Sequence, residues 1–127
     1  GLYMNDSAGI HDERDKLQKA LDVFHIPLKL VVGADAHLVP ELLEGLQSGR
    51  VPTLNGSRYF LLEPSHHVPP PQFEYSVFQI MAAGFVPVIT HPERLVWIEH
   101  HYHTFVSLAQ RGVWLQLTAG AVVGKFG

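Results

Sequence analysis

Three side chains in this sequence could together bind a divalent metal ion. Asp35, Glu63 and His91 each come just beyond a short apolar run with the length and composition of a β-strand. Two carboxylates and an imidazole suit hard or borderline ions such as Mg²⁺, Mn²⁺, Fe²⁺ or Zn²⁺, with water completing the coordination shell. We therefore predict that Asp35, Glu63 and His91 are metal ligands.

Arg94, three residues after His91, adds a group that could bind phosphate. A guanidinium group offers a planar fork of donors for two phosphate oxygens, and its charge is not lost near neutral pH. We predict that Arg94 is a catalytic residue that binds a phosphoester and stabilises the charge of its transition state. In the structural alternatives, Arg94 pairs with Glu93 or caps a helix, Asp35 caps the helix that follows it, and the other two residues have structural roles.

The remaining histidines are weaker candidates. His66 and His67 lie in a loop beside Glu63, where they could contact substrate or metal or could simply be solvated, and we predict that His66 contacts substrate. His37 follows Asp35 by two residues and could join it. Three further histidines fall on different faces of a predicted helix, which favours a solvent-exposed helix over a metal site: His100, His101 and His103.

These residues need a framework in which strand ends meet, and the sequence predicts one. Residues 1–11 are predicted to form a loop. Predicted strands at residues 28–32, 58–62, 85–90 and 113–118 alternate with predicted helices at residues 12–24, from about 40 to 49, 72–83 and 99–111. The strand centres recur at roughly 27 to 30 residues, the length of a strand–helix unit. Strands joined through helices should be parallel, and the carboxyl ends of parallel strands form one rim.

Two segments are less regular. Asn55-Gly56 is a turn signal that could close a small hairpin between residues 51–54 and the second strand. Gln116 and Thr118 end the fourth predicted strand and could line the pocket, but the sequence assigns them no chemical role. The chain opens on Gly1 and stops at Gly127 without an obvious terminal element, so we expect a single, truncated domain.

The composition limits the function classes. The chain has 127 residues, of which 46% are hydrophobic, enough for one domain with a core. It has no cysteine, so disulfides and thiolate metal sites are excluded, and a reducing cytoplasm is the expected location. A net charge of −3 gives no basic surface for nucleic acid. No apolar run approaches the roughly 20 residues of a membrane span.

Three blocks of the sequence resemble the bacterial capsule and exopolysaccharide tyrosine phosphatases of the PHP (polymerase and histidinol phosphatase) superfamily. The blocks are Gly33-Ala34-Asp35, then Leu54-Asn55-Gly56-Ser57-Arg58-Tyr59 leading into Glu63, and Thr90-His91-Pro92-Glu93-Arg94. The resemblance implies an α/β fold, a distorted (βα) barrel with seven strands, of which about four strand–helix units are present here.

The resemblance also implies a chemistry. It predicts a cluster of divalent metal ions, manganese first and iron, zinc or magnesium as alternatives, that activates water to hydrolyse phosphotyrosine on a tyrosine kinase of polysaccharide export. Glu63 and His91 match ligand positions of the family, Asp35 stands where many members have Glu, and Arg94 matches an arginine that contacts phosphate. The family's opening His-x-His at the end of its first strand and its closing Asp-x-His near its last strand are absent at those places, so about half of the expected ligands are present.

Two other functions are compatible with the same residues. One is a phosphoesterase of the same superfamily acting on a small phosphorylated metabolite. The other is an inactive fragment that serves as an interaction module. In either case four strands would leave open sheet edges, which could pair with another copy of the chain to give a homo-oligomer.

Overall fold

The computed structural model describes residues 6–125, which form a four-stranded parallel sheet with helices between the strands. The elements run α1 (Ser7–Val23), β1 (Asp35–His37), α2 (Leu42–Gln47), β2 (Tyr59–Glu63), α3 (Phe73–Ala82), β3 (Val86–Thr90), α4 (Tyr102–Gln110), β4 (Trp114–Gln116) and α5 (Ala119–Val122). Short 3₁₀ turns occupy Leu54–Gly56, Pro92–Arg94 and Glu99–His101. The strand order β1-β2-β3-β4 and the parallel pairing of all neighbours confirm the predicted strand–helix alternation.

The first strand is not where the apolar run predicted it. Residues 28–32 form no strand, and β1 is instead Asp35–His37, so Asp35 begins the strand rather than following it. The backbone of the apolar run is bonded elsewhere: the Gln18 side chain on α1 accepts from Leu30 N and donates to Leu28 O. Because these groups bind a helix side chain, they do not contribute to a strand ladder.

The hairpin at Asn55-Gly56 was also a wrong prediction. Asn55 has φ +53° and Gly56 has φ +66°, and they shape a 3₁₀ turn rather than joining two antiparallel strands. The segment before this turn bonds to the stretch before β1, with Ala34 N donating to Pro52 O at 3.1 Å. β2 therefore keeps both of its edges for the parallel strands β1 and β3.

The helix ends differ from prediction in smaller ways. Helix α1 begins at Ser7, five residues before the predicted start, because the Asp6 carboxylate accepts a hydrogen bond from Gly9 N and caps it. Residues 7–11 are therefore helical, whereas residues 1–5 of the predicted loop lie outside the described part of the chain. The predicted fourth helix starts as a 3₁₀ turn and becomes α-helical only at Tyr102.

One face of the sheet carries the core and the other carries the candidate site. Phe60, Leu62 and Ile89 are fully buried under α2, α3 and α4, which contribute further buried side chains: Leu42, Leu46, Val77, Ile80, Phe105 and Leu108. Side chains alternate between faces along a strand. Asp35 and Glu63 therefore lie on the opposite face, together with Trp114, which is 60% exposed.

No helix within residues 6–125 is long and apolar enough to cross a bilayer.

Candidate metal and phosphate site

The predicted ligands lie along one end of the sheet, at different heights. Glu63 is the last residue of β2, and His91 follows the last residue of β3. Asp35 pairs with Leu61, so it lies two residues below Glu63 in the register. The Asp35 side chain nevertheless contacts β3, on the other side of β2: the hydroxyl of Thr90 at the end of β3 donates to Asp35 Oδ1 at 3.3 Å. We call Asp35, Glu63, Thr90 and His91 the site rim.

The carboxyl group of Asp35 interacts electrostatically with the other rim residues. Desolvation and the negative charge of Glu63 raise its pKa, while the Thr90 hydrogen bond and the charges of His91 and His37 partly oppose the increase. A carboxyl group whose ionisation is disfavoured by a nearby carboxylate belongs to a site that a cation would stabilise.

Glu63 is flanked by two histidines. His37 Nδ1 lies 3.4 Å from Glu63 Oε2, and His66 Nε2 lies 3.2 Å from Glu63 Oε1. The Nε2 atom of His66 is buried and forms no hydrogen bond within the described residues. Buried polar atoms are rarely left unpaired, so this nitrogen has unused capacity as a donor or ligand next to a carboxylate.

His91 is held by the end of the fourth strand. Its backbone has φ +50°, an unusual conformation for a residue other than glycine. Its backbone N–H donates to Gln116 O at 3.0 Å, and its Nδ1 lies 3.0 Å from Thr118 Oγ1. With Nδ1 engaged, the other ring nitrogen is left for a ligand.

Thr118 also binds Glu93, which follows His91 by two residues. Its backbone N–H donates to Glu93 Oε1 at 2.9 Å. Burial by itself would raise the pKa of Glu93, but the hydrogen bonds from the backbone N–H and hydroxyl of Thr118, with smaller favourable contributions, outweigh it and lower the pKa. Sequence patterns did not assign a role to Thr118 or Glu93, because their contact depends on how β3 and β4 pair.

Arg94 is placed by the 3₁₀ turn Pro92–Arg94, in which its backbone N–H donates to His91 O at 2.8 Å. The Glu93 carboxylate is bound by Thr118, and the Arg94 guanidinium has neither an ion pair nor a hydrogen bond to any residue between 6 and 125. The structure therefore shows no Arg94–Glu93 pair, and it leaves an exposed cation one turn from His91.

The loop after β2 is fastened to the segment after this turn. Trp97 Nε1 donates to Ser65 O at 2.9 Å, and Val96 N donates to His66 O at 3.0 Å. The indole of Trp97 also packs against Phe73 and Phe105 in the core. These two hydrogen bonds join the loop that carries His66 to the segment that follows Arg94.

The three histidines on and before α4 do not form a site. His101 Nδ1 lies 3.2 Å from Trp97 O and its ring packs on Trp97, while His100 and His103 are exposed. His100 and His103 thus face solvent, as expected, whereas His101 packs against Trp97.

The chemical types of these donors suit a divalent cation, but the donors do not form a complete metal site by themselves. Among residues 6–125, no group of three or more His, Asp or Glu side chains is arranged to hold a metal ion. The features that favour a cation are the Asp35–Glu63 repulsion, the buried nitrogen of His66 that contacts Glu63 without a hydrogen bond, and the oriented imidazole of His91. The rim thus has the character of part of a larger donor set.

Asp35→Asn is expected to stabilise the protein in the absence of metal at neutral pH. The amide retains the oxygen that accepts from Thr90 and loses the charge that Glu63 disfavours. A carboxyl group whose pKa is raised in the folded state lowers the protein's free energy of unfolding as the pH rises above 3.8, the ordinary pKa of the group. The advantage of Asp35→Asn in chemical denaturation should therefore grow between about pH 3 and about pH 7.

The matched control for this experiment is Asp12→Asn, which removes a carboxylate from α1, a helix without buried residues. A larger gain from Asp12→Asn than from Asp35→Asn, or an Asp35→Asn gain that shrinks toward neutral pH, would contradict the electrostatic argument.

Comparison with known proteins identifies relatives over the whole chain. Residues 3–127 match the sequence model of the family "Capsular polysaccharide synthesis, CpsB/CapC". The chain is 32% identical over 128 residues to the tyrosine-protein phosphatase YwqE of Bacillus subtilis (strain 168), an alignment that covers 100% of this chain and 50% of the relative. It is 33% identical over 92 residues to the tyrosine-protein phosphatase CpsB of Streptococcus pneumoniae, covering 72% of this chain and 38% of the relative.

A solved structure agrees with these matches. It is described among crystal structures of YwqE from Bacillus subtilis and CpsB from Streptococcus pneumoniae, unique metal-dependent tyrosine phosphatases, and it superposes with a TM-score of 0.90 at 30% identity. The superposition covers 100% of this chain and 51% of the solved one. The chain therefore spans about half the length or less of these relatives.

Proposed function

Because the chain belongs to the CpsB/CapC family of capsular polysaccharide synthesis, we propose that it carries part of the active site of a metal-dependent protein-tyrosine phosphatase. The observation that supports the proposal best is the site rim, where two mutually repelling carboxylates and an oriented imidazole lie beside the turn that presents Arg94. The named relatives are tyrosine-protein phosphatases, and YwqE and CpsB are both described as metal-dependent.

Three residues of the rim and His66 have proposed roles. Asp35, Glu63 and His91 are ligands of a divalent metal cluster, with further donors completing it, and His66 contacts substrate beside Glu63. Manganese is the proposed metal, with iron, zinc and magnesium as alternatives. When bound, such ions supply Lewis acidity and lower the pKa of water.

Arg94 has a separate role in the proposed reaction. Arg94 binds two oxygens of the phosphoryl group and balances the charge that develops on them in the transition state. The turn bond between Arg94 N and His91 O keeps the backbone of Arg94 next to the ligand histidine. No cysteine nucleophile is required, and the chain contains none.

The proposed substrate is a phosphotyrosine protein, in particular a tyrosine kinase of the polysaccharide export system. The proposed architecture is a PHP-type barrel to which these four strands contribute, within a single domain. Pairing of the outer edges of β1 or β4 with another copy of the chain stays a prediction.

We expect Mn²⁺-dependent hydrolysis of a phosphotyrosine peptide by the intact protein, abolished by a chelator and restored by adding metal back. Parallel assays with Mn²⁺, Fe²⁺, Zn²⁺ and Mg²⁺ identify the metal, and a sugar phosphate serves as the comparison substrate. Phosphate release at equal rates with and without metal would overturn the proposal. Faster hydrolysis of the sugar phosphate than of the peptide would instead favour a small phosphorylated metabolite as the substrate.

A further inference from the structure

We propose that Thr118 is a positioning residue that sets which imidazole nitrogen of His91 is free to bind metal. The inference rests on the proposed function, in which His91 is a ligand. It is carried by two contacts: His91 Nδ1 lies 3.0 Å from Thr118 Oγ1, and Thr118 N donates to Glu93 Oε1 at 2.9 Å. Thr118 thus links the ligand His91 to Glu93, and neither Thr118 nor Glu93 belongs to the ligand set.

The direction of these hydrogen bonds follows from the donors available. A neutral imidazole has one N–H and one bare nitrogen, and a hydroxyl group can donate or accept. The 3.0 Å contact with Thr118 Oγ1 occupies Nδ1 of His91, so Nε2 is the ring nitrogen left for a ligand. A metal ion binds the bare nitrogen of a neutral ring, so in the metal-binding form Nδ1 carries the hydrogen and donates it to Oγ1 of Thr118.

The same network limits the motion of the ring. The backbone N–H of His91 donates to Gln116 O at 3.0 Å, so the end of β3 is tied to the end of β4 by a backbone bond as well as by Thr118. Thr118 is itself fixed by the bond from its N–H to Glu93. Because its backbone and its hydroxyl both have partners, Thr118 can hold the imidazole in one orientation. Partners of this kind orient metal-binding histidines generally, and their loss typically reduces affinity or activity by about 10- to 100-fold.

Thr118→Val tests the inference because it keeps the branched shape and removes only the hydroxyl. Two properties of the intact protein are measured: the tautomer of His91 in the metal-free state by long-range ¹H–¹⁵N NMR, and the affinity for Mn²⁺ by calorimetry. We expect the wild type to hold the Nδ1–H tautomer and Thr118→Val to lose that preference. We also expect Mn²⁺ affinity to fall roughly 10-fold or more.

Two further variants separate positioning from a general loss of structure. Thr118→Ser retains the hydroxyl and should restore both the tautomer and the affinity. Thr53→Val removes a hydroxyl that makes no capping hydrogen bond at the 3₁₀ turn Leu54–Gly56, and it should leave both unchanged.

The outcomes distinguish this inference from the proposed function. An Nε2–H tautomer in the wild type, or unchanged affinity and tautomer in Thr118→Val, would overturn the positioning role even if the wild type hydrolyses phosphotyrosine with Mn²⁺. A wild type that binds no Mn²⁺ would overturn the proposed metal site, and the positioning role with it.

Discussion

Replacement of Arg94 by alanine is expected to lower kcat/KM for a phosphotyrosine peptide by roughly 100- to 1,000-fold, the cost of removing one preorganised donor from a developing oxyanion. The guanidinium is exposed and has no partner in the part of the chain between residues 6 and 125, so its loss breaks no contact that stabilises the fold. The free energy of unfolding and the Mn²⁺ affinity should therefore stay close to those of the wild type. Steady-state kinetics and calorimetry on the same preparation provide both measurements.

Arg94→Lys refines the same prediction. Lysine retains the charge but not the planar fork, so we expect it to recover only part of the loss, with about a tenfold deficit remaining. Arg111→Lys is the matched control, since Arg111 is an exposed cation at the end of α4 whose nearest acid is Glu74 at 3.9 Å. If Arg94→Ala kept more than half of the wild-type kcat/KM, Arg94 would have no part in catalysis.

The framework that positions the site could be predicted because its signals are local. The apolar run before Glu63 forms most of β2, which ends at Glu63, and the run before His91 contains β3. Gly84 and Gly112 separate helices from the strands that follow. Both glycines have positive φ, which other residues adopt at a cost, so they end α3 and α4 where the pattern indicated. Parallel pairing then followed from the alternation of strands and helices.

The first strand could not be predicted from the same signals. Residues 28–32 are more apolar than the observed strand Asp35–His37, and only pairing with Leu61, Leu62 and Glu63 makes the latter a strand. The choice between the two stretches was made by tertiary contacts, in which the Gln18 side chain binds the apolar run. The intrinsic preference of a segment for strand structure is outweighed by such tertiary contacts.

The residues proposed for the site could be chosen from the sequence, but their supporting contacts could not. Asp35, Glu63 and His91 could be chosen because each was expected near a strand end, and the structure places them near one rim at unequal heights. Thr118 lies 27 residues after His91, and their contact requires both the β3–β4 register and the left-handed backbone of His91. Neither feature has a sequence signature strong enough to assign it beforehand.

His91→Asn is expected to reduce Mn²⁺ affinity and phosphotyrosine hydrolysis by more than about 100-fold. Loss of a residue that only orients a metal ligand typically costs less than this. Asparagine is chosen because His91 has φ +50°, a conformation that asparagine tolerates better than alanine does. The backbone bonds from His91 N to Gln116 O and from Arg94 N to His91 O are then retained. A loss in this variant therefore reports on the imidazole rather than on a rearranged turn.

The comparison with a second histidine makes this result specific. His103→Asn removes an imidazole from the exposed surface of α4, where its ring contacts only that of Tyr102 among the described residues. It should bind Mn²⁺ and hydrolyse the peptide as the wild type does, and chemical denaturation should show that both variants are folded. Equal losses in the two variants would mean that histidines bind the ion non-specifically, and an unaffected His91→Asn would remove His91 from the metal site. A loss confined to His91→Asn, together with retained Mn²⁺ binding in Arg94→Ala, would separate the ligand role of the histidine from the phosphate-binding role of the arginine three residues later.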